Sequence, residues 1–191
     1  CNESLSTRYA EYGHKTDNLV NMPAEAVNDL SVMRNVEFLD GNWTRIDLFK
    51  NSTQTQGIAW GITGNDPINM LLGDSAHLKM ELYASADQVV AIMAHYYDTQ
   101  GNVIHSQLLD TVYLVAGQVL TYRHNLDLDD FSGVAKIDIS AEMTSQSDSW
   151  LLAKKPQVVV YFDSSKTADN TDTLDLPAVY LSGLINGMSK D

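Results

Sequence analysis

The stretch that most constrains the fold is a run of alternating apolar and polar side chains at residues 76–84. Its apolar positions are Ala76, Leu78, Met80, Leu82 and Ala84, and its other positions are His77, Lys79, Glu81 and Tyr83. Alternation with a period of two is typical of a strand that has one face in a core and one face toward solvent. The run therefore predicts a half-buried β-strand.

Further short extended runs follow, each bounded by turn residues. The run from Val89 to Tyr97 is apolar at nearly every position and ends at the turn 98–102, after which Val103 begins another extended run. Across residues 35–163 we count about nine such strands, with almost no helix, which is typical of an all-β sandwich or barrel. We place Trp60 and Tyr96 in the core of that sandwich.

One strand has a nearly bare face. In residues 57–63, Ile58, Trp60 and Ile62 alternate with Gly57, Ala59 and Gly61. Such a face leaves room for the close approach of a ligand, a helix or a partner. The alternative is a tight contact between the two sheets, and the sequence favours neither.

The chain divides by composition into three segments. Residues 1–34 are mostly polar and predict an N-terminal arm, in which Pro23 could begin a short helix. Residues 35–163 contain the predicted strands. Residues 164–191 begin as a polar linker and end as an apolar tail. An arm and a tail of this kind suit docking, either onto the domain itself or onto a neighbouring subunit.

The charge balance excludes some classes of partner. The chain has 12 Lys and Arg against 25 Asp and Glu, a formal net charge of −13. Such a chain repels nucleic acid and anionic lipid. No apolar run approaches the roughly 18 residues of a membrane helix, so we expect no transmembrane segment. The single cysteine, Cys1, excludes an internal disulfide framework, and it is either a lipidated lipoprotein terminus or simply the start of the numbering.

Motifs for catalysis are not found in the sequence. It has no Gly-x-Ser-x-Gly, no phosphate-binding loop, no Cys–His pair and no closely spaced histidines for zinc. We therefore predict that the protein is not an enzyme. The acidic residues Asp127, Asp129 and Asp130 could supply oxygen ligands to calcium, or they could form a solvated loop.

Three motifs in residues 35–163 resemble a known family. They are Asn35-x-x-Phe38-x-x-Gly41-x-Trp43, the strand that follows Gly73, and the hairpin Ala94-His95-Tyr96-Tyr97-Asp98-x-x-Gly101. Together they resemble the jelly-roll carbohydrate-binding modules with a galactose-binding-domain-like fold, which also occur in phage tail and baseplate proteins. The resemblance implies an antiparallel jelly-roll β-sandwich and a structural Ca²⁺ near Asp163. The acidic residue that follows Phe in the family is Leu39 here, so Asp40 or Glu37 would replace it as a calcium ligand.

Sugars bind proteins through aromatic faces with polar side chains nearby. Outward strand positions with this mixture form three groups, and we expect ligand contacts from all of them. The groups are Trp43, Arg45 and Asp47; Glu81 and Tyr83; and His95 and Tyr97 beside Arg123.

The sequence thus predicts a non-catalytic extracellular module for glycan binding or adhesion, with a glycan or a cell-wall polysaccharide as its partner. The alternative is a structural assembly protein of a virion, phage tail or surface filament. In that case the terminal arms would bridge subunits, through self-association or contact with a neighbouring structural protein.

Overall fold

The computed structural model describes residues 14–51, 53–64, 67, 75–129 and 132–162. Within these ranges the chain forms twelve β-strands. They are β1 (His14–Lys15), β2 (Ala24–Ala26), β3 (Met33–Phe38), β4 (Gly41–Leu48), β5 (Gln56–Thr63), β6 (Ser75–Ala84), β7 (Gln88–Tyr97), β8 (Val103–Leu114), β9 (Val119–Leu126), β10 (Lys136–Met143), β11 (Ser149–Ala153) and β12 (Gln157–Phe162). Nowhere in the described ranges is there a helix with the length and apolar character needed to cross a membrane.

The strands form two sheets whose strand pairs are antiparallel, which confirms the predicted β-sandwich. Sheet I has the order β1-β12-β6-β11-β4-β3. Strands β12 and β11 pair with successive parts of one edge of β6, and β9 pairs along its other edge. Sheet II has the order β2-β5-β10-β7-β8. The chain passes from sheet I to sheet II between β6 and β7, so these two strands stack in different layers.

The core lies between the two sheets and follows the predicted alternation. Every apolar residue of the 76–84 run is buried, while the intervening residues are only partly covered. Sheet II contributes side chains at the same spacing, including Ile58, Ile92 and Ile139 at 0% exposure. Trp60 and Tyr96 are 2% and 0% exposed, as predicted. Because alternate residues point into the core, the remaining positions of each strand form the two outer faces.

The segment predicted to be an arm belongs in part to the sandwich. Strand β1 pairs with β12, β2 pairs with β5, and Leu19 and Val20 are buried in the core. The expected short helix at Pro23 is wrong, since Ala24–Ala26 is a strand whose backbone bonds to β5. Pairing with β5 satisfies the backbone N–H and C=O groups of Ala24–Ala26. A helix is also disfavoured here, because the nearby Asn28, Asp29 and Ser31 have low helix propensity.

Parts of the predicted arm and the whole predicted tail lie outside the described residues. Residues 1–13, with Cys1, and residues 163–191, with the expected linker and apolar tail, lie outside the described residues. The three-segment division of the chain therefore stays a prediction, apart from the strands found before residue 35.

Candidate functional site

The outer face of sheet II has a row of polar side chains on its central strand. In β10 the residues Ile137, Ile139 and Ala141 are buried in the core, so the alternate positions point away from it. Those outward positions are Lys136, Asp138, Ser140 and Glu142. Strand β7 lies beside β10 and places His95 directly opposite Asp138.

Hydrogen bonds join this row to its neighbours. Nε2 of His95 lies 2.5 Å from Oε2 of Glu142, and the hydroxyl of Ser140 donates to the same oxygen at 2.5 Å. Nδ1 of His95 lies 2.7 Å from the hydroxyl oxygen of Ser106 on β8. The side chains of His95 and Glu142 are 21% and 15% exposed, so the pair is partly shielded from water while an edge remains accessible.

The two ionisable groups reinforce each other's charge. The hydrogen bond to Glu142 raises the pKa of His95, against the lowering effect of burial. Burial opposes ionisation of Glu142, yet the hydrogen bonds from His95 and Ser140 outweigh it and lower the pKa of that carboxyl. The arrangement can therefore hold an ionised carboxylate beside an imidazolium at mildly acid pH, with both ring nitrogens of His95 bonded to Glu142 and Ser106.

Tyr97 supplies an aromatic ring at one end of the row. Nζ of Lys136 lies 4.7 Å from the ring centroid and 3.3 Å from Oδ1 of Asp138. Burial, with the nearby charge of Asp138, raises the pKa of Tyr97 to about 12, so its hydroxyl stays protonated at physiological pH. Oδ1 of Asp138 is buried and lies against the ammonium group of Lys136, so the oxygen is not open to a ligand.

Small residues flank the polar row on its other side. Strand β5 pairs with β10 so that Gly57 lies opposite Glu142, Ala59 opposite Ser140 and Gly61 opposite Asp138. The bulky residues of β5 point into the core. The bare face of this strand is therefore on the outside of the sandwich, and the alternative of a tight contact between the sheets is excluded. We call β5, β10 and the end of β7 on this face the polar floor.

Six of the eight residues predicted to contact a ligand lie on the opposite side of the molecule, on the outer face of sheet I. Arg45 and Asp47 share that face as predicted, with Nε of Arg45 2.9 Å from Oδ1 of Asp47. Trp43 also points outward, but it is only 3% exposed. Its indole N–H donates to the carbonyl of Phe38, and Nζ of Lys154 lies 5.1 Å from its ring centroid. The expected exposed indole at Trp43 is therefore wrong.

The other aromatic ring of this group is also engaged. Tyr83 lies between Phe38, at 4.7 Å between ring centroids, and Trp150, at 5.7 Å with the two rings nearly parallel. The guanidinium of Arg45 covers Trp150 at 4.8 Å, and Glu81 pairs with Lys154 at 3.2 Å. These contacts occupy ring faces that a sugar would need, so the cluster resembles a small outer core. Ligand contact by Glu81 and Tyr83 stays a prediction.

Arg123 is not beside His95 and Tyr97, as we had expected. It lies on β9, which pairs with β6 in sheet I and places Arg123 opposite Lys79. The reason is that the chain crosses between the sheets from β8 to β9, a step that strand patterning does not reveal. Of the predicted ligand contacts, only His95 and Tyr97 lie on sheet II.

The predicted calcium site remains untested. Asp40 lies in the exposed turn between β3 and β4, with a φ of 56°, and Asp163 lies outside the described residues. Of the acidic loop, Asp129 pairs with His105 at 2.7 Å, and Asp130 is not described. No cluster of three or more His, Cys, Asp or Glu suited to a metal ion occurs in the part of the chain that the structure covers.

Comparisons with known proteins identify the fold. No protein-family model matches the chain, and neither does any curated protein sequence. The xylan-binding CBM22-2 domain of Paenibacillus barcinonensis Xyn10C superimposes with a TM-score of 0.54 at 13% identity, covering 77% of this chain and 98% of that one. The CBM22-1 domain of the same enzyme gives 0.53 at 6% identity, covering 79% and 95%.

A second group of modules has the same fold. The family 11 carbohydrate-binding module of Clostridium thermocellum, solved with a β-1,3-1,4-mixed-linked tetrasaccharide, gives a TM-score of 0.51 at 9% identity and covers 78% of this chain and 95% of that one. At such identities the similarity establishes the fold alone. The predicted jelly-roll sandwich is thereby confirmed. The matched part of this chain covers 95–98% of the length of each of these modules.

Proposed function

We propose that the protein is a non-catalytic extracellular carbohydrate-binding module that binds a neutral polysaccharide on the polar floor of sheet II. The observation that supports this best is the joint placement of His95, Glu142 and Asp138 beside the bare strand β5. The fold adds support, because modules with this fold include ones described as xylan-binding and one solved with a mixed-linked glucan tetrasaccharide.

The chemistry of the polar floor suits the hydroxyls of a sugar. Ionised carboxylates accept hydrogen bonds from hydroxyl groups, and such charge-assisted bonds are stronger than neutral ones. Glu142, whose side chain is 15% exposed, supplies such an acceptor. The two ring nitrogens of His95 are engaged by Glu142 and Ser106, so the imidazole holds that carboxylate in place. Nζ of Lys136 lies over one face of the Tyr97 ring, so the apolar contact with the C–H groups of a pyranose uses the rest of the ring surface. Of the small residues of β5, Ala59 is partly exposed on this face, whereas Gly57 and Gly61 are buried, Gly61 beneath the side chains of Met22, Lys136 and Asp138. The space for a sugar ring beside β5 is therefore at Ala59.

The charge of this face favours a neutral ligand over an anionic one. Its described outward positions include the carboxylates of Glu25, Asp138 and Glu142, against one cation, Lys136, and the titratable His95. With the net charge of −13, the face would repel a polyanionic chain. Xylans without acidic substituents and mixed-linkage glucans are therefore the ligands to test first.

The direct experiment is a titration of the chain with neutral xylo-oligosaccharides and mixed-linkage gluco-oligosaccharides in a calorimeter. Glu142→Gln removes the charged acceptor while keeping the size of the side chain, and we expect it to weaken binding about tenfold. Glu37→Gln is the matched control, because Glu37 is exposed on β3 of sheet I. Equal affinities of the two variants would remove the polar floor from the proposal, and lack of binding by the unsubstituted chain to neutral glycans would reject it.

A further inference from the structure

Two cations lie directly opposite each other on the outer face of sheet I. The antiparallel register of β6 and β9 pairs Lys79 with Arg123. Like charges directly opposite each other on neighbouring strands are destabilising. The chain has about two acids for every base, 25 against 12, so a compensating carboxylate would be easy to supply. Among the described residues, however, neither cation makes an ion pair.

Three other cations of the protein do have a carboxylate partner. Arg45, Lys136 and Lys154 each lie within 3.3 Å of a carboxylate oxygen. Arg45 and Lys154 belong to the same outer face as Lys79 and Arg123. Lys79 and Arg123 differ from these two cations in that no described carboxylate pairs with them, a condition that they share with Arg34, Lys50 and Lys155.

The pair borders a surface cavity of about 490 Å³. Side chains from three adjacent strands form its floor in two rows. Arg123, Lys79 and Gln157 face one another in the first row, and Asn125, His77 and Val159 do so in the second. No Asp or Glu is among the described residues that line it. Its volume lies in the range of about 300–1,000 Å³ that is usual for small-molecule sites.

We propose that this cavity binds a carboxylated sugar, namely a uronic acid residue of a glycan. The planar guanidinium of Arg123 can hold a carboxylate through two parallel hydrogen bonds, while the ammonium of Lys79 adds a compact positive charge. The amides of Asn125 and Gln157 provide donors and acceptors for the ring hydroxyls. The choice of a sugar rests on the proposed function, but the site is distinct from the polar floor, which lies on the other sheet.

The overall charge of the protein selects a sparsely charged ligand. A net charge of −13 repels a densely charged chain such as nucleic acid or polyphosphate over the whole surface. A single carboxylate among neutral hydroxyls meets two uncompensated cations locally and little repulsion elsewhere. The outer face of sheet II would then bind the neutral backbone of the glycan, and the cavity on sheet I would bind an acidic sugar residue.

The test compares methyl glucuronide with methyl glucoside, which have the same ring but differ in the carboxylate. In calorimetry with the full chain at low salt, we expect the glucuronide to bind at least about tenfold more tightly, and added salt to reduce that preference. Arg123→Gln and Lys79→Gln should each abolish the preference. Lys50→Gln, which removes an exposed charge from outside the cavity, should leave it intact.

A second readout separates binding from folding. Because each substitution removes one member of a repulsive pair, Arg123→Gln should raise the melting temperature while it lowers glucuronide affinity. Equal affinity of the unsubstituted chain for both glycosides would overturn the proposal. So would an unchanged preference for the glucuronide in a variant that carries both Lys79→Gln and Arg123→Gln. Binding of sulfate as tight as that of the glucuronide would overturn it too, in favour of a general anion site. Failure of the proposed function would instead appear as loss of neutral oligosaccharide binding, which these substitutions should not affect.

Discussion

Nε2 of His95 and Oε2 of Glu142 lie 2.5 Å apart, although 47 positions of sequence separate the two residues. Strands β7 and β10 are adjacent in sheet II, and this adjacency brings the two side chains together on the outer face. The contact joins the fold to the proposed function, since it fixes the position of a carboxylate that can accept hydrogen bonds from sugar hydroxyls. It also makes stability depend on pH.

The first prediction concerns that pH dependence. The raised pKa of His95 means that its stabilising contribution is complete below its ordinary value of 6.5 and is lost as pH rises through the folded value. The lowered pKa of Glu142 means that its contribution is complete above its ordinary value of 4.5 and is lost as pH falls through the folded value. The pair therefore stabilises most between pH 4.5 and 6.5.

Melting temperatures measured against pH check this window. The difference between the unsubstituted chain and Glu142→Gln should be greatest inside it and should shrink at both higher and lower pH. Neighbouring groups that face His95, namely Asp138 and Ser106, are unchanged in both proteins. A difference that stays constant across the whole pH range would show that the ion pair does not form.

The second prediction concerns the aromatic ring of the polar floor. Tyr97→Ala should weaken binding of neutral oligosaccharides at least about fivefold, because the ring supplies the apolar contact for the sugar. Tyr97→Phe should retain most of the affinity, since it keeps the ring. Tyr113→Ala is the control, because Tyr113 is 59% exposed on edge strand β8. A loss of equal size in the Tyr113 variant would argue against a specific role for Tyr97.

The third prediction concerns the bare strand. Gly57 has a φ of 148°, and a Cβ at this position would lie 2.0 Å from the carbonyl oxygen of Ala141 on β10. Gly57→Ala should therefore cost roughly 3 kcal/mol of unfolding free energy, from the clash and the backbone conformation together. Gly101→Ala separates the two causes, because Gly101 has a φ of 83° with open space around it. It should cost only about 1 kcal/mol in denaturant titrations.

The fourth prediction tests whether the segment before β2 is part of the sandwich. The side-chain amide of Asn18 donates to the carbonyl of Pro156, and its oxygen accepts from the backbone N–H groups of Val158 and Val20. Asn18→Ala should lower the unfolding free energy by about 2 kcal/mol, because it leaves partly buried backbone groups unpaired. Asp17→Ala, at the exposed neighbouring position, should change it far less. Similar effects of both substitutions would count against close docking of residues 14–22.

Much of the fold could be predicted because strand patterning is local. The alternation at residues 76–84 fixes which side chains of β6 point inward, and Pro156 marks the start of β12 correctly. Strand β11 was missed, since Ser149–Ala153 is a short run with no clear alternation and is bounded by polar residues. Strands β1 and β2 were missed for a similar reason, because they are short and form only by pairing with an edge.

The site was less predictable because it depends on which strands pair. Sequence shows that Arg45 and Asp47 share a face, and the structure agrees. It does not show that Glu142 meets His95, or that Arg123 lies on the other sheet, since both facts follow from strand order. Exposure is also a tertiary property. Trp43 points outward as the alternation indicates, yet Phe38 and Lys154 cover it.

The most direct test of the central claim is to map neutral ligand binding onto the two faces by NMR. Isotope-labelled protein would be titrated with a neutral xylo-oligosaccharide while backbone amide shifts are followed. The account expects the largest changes at His95, Tyr97 and Glu142 on sheet II, with little change around Tyr83 and Trp150 on sheet I. Changes concentrated around Tyr83 and Trp150, or no change on either face at saturating ligand, would contradict it.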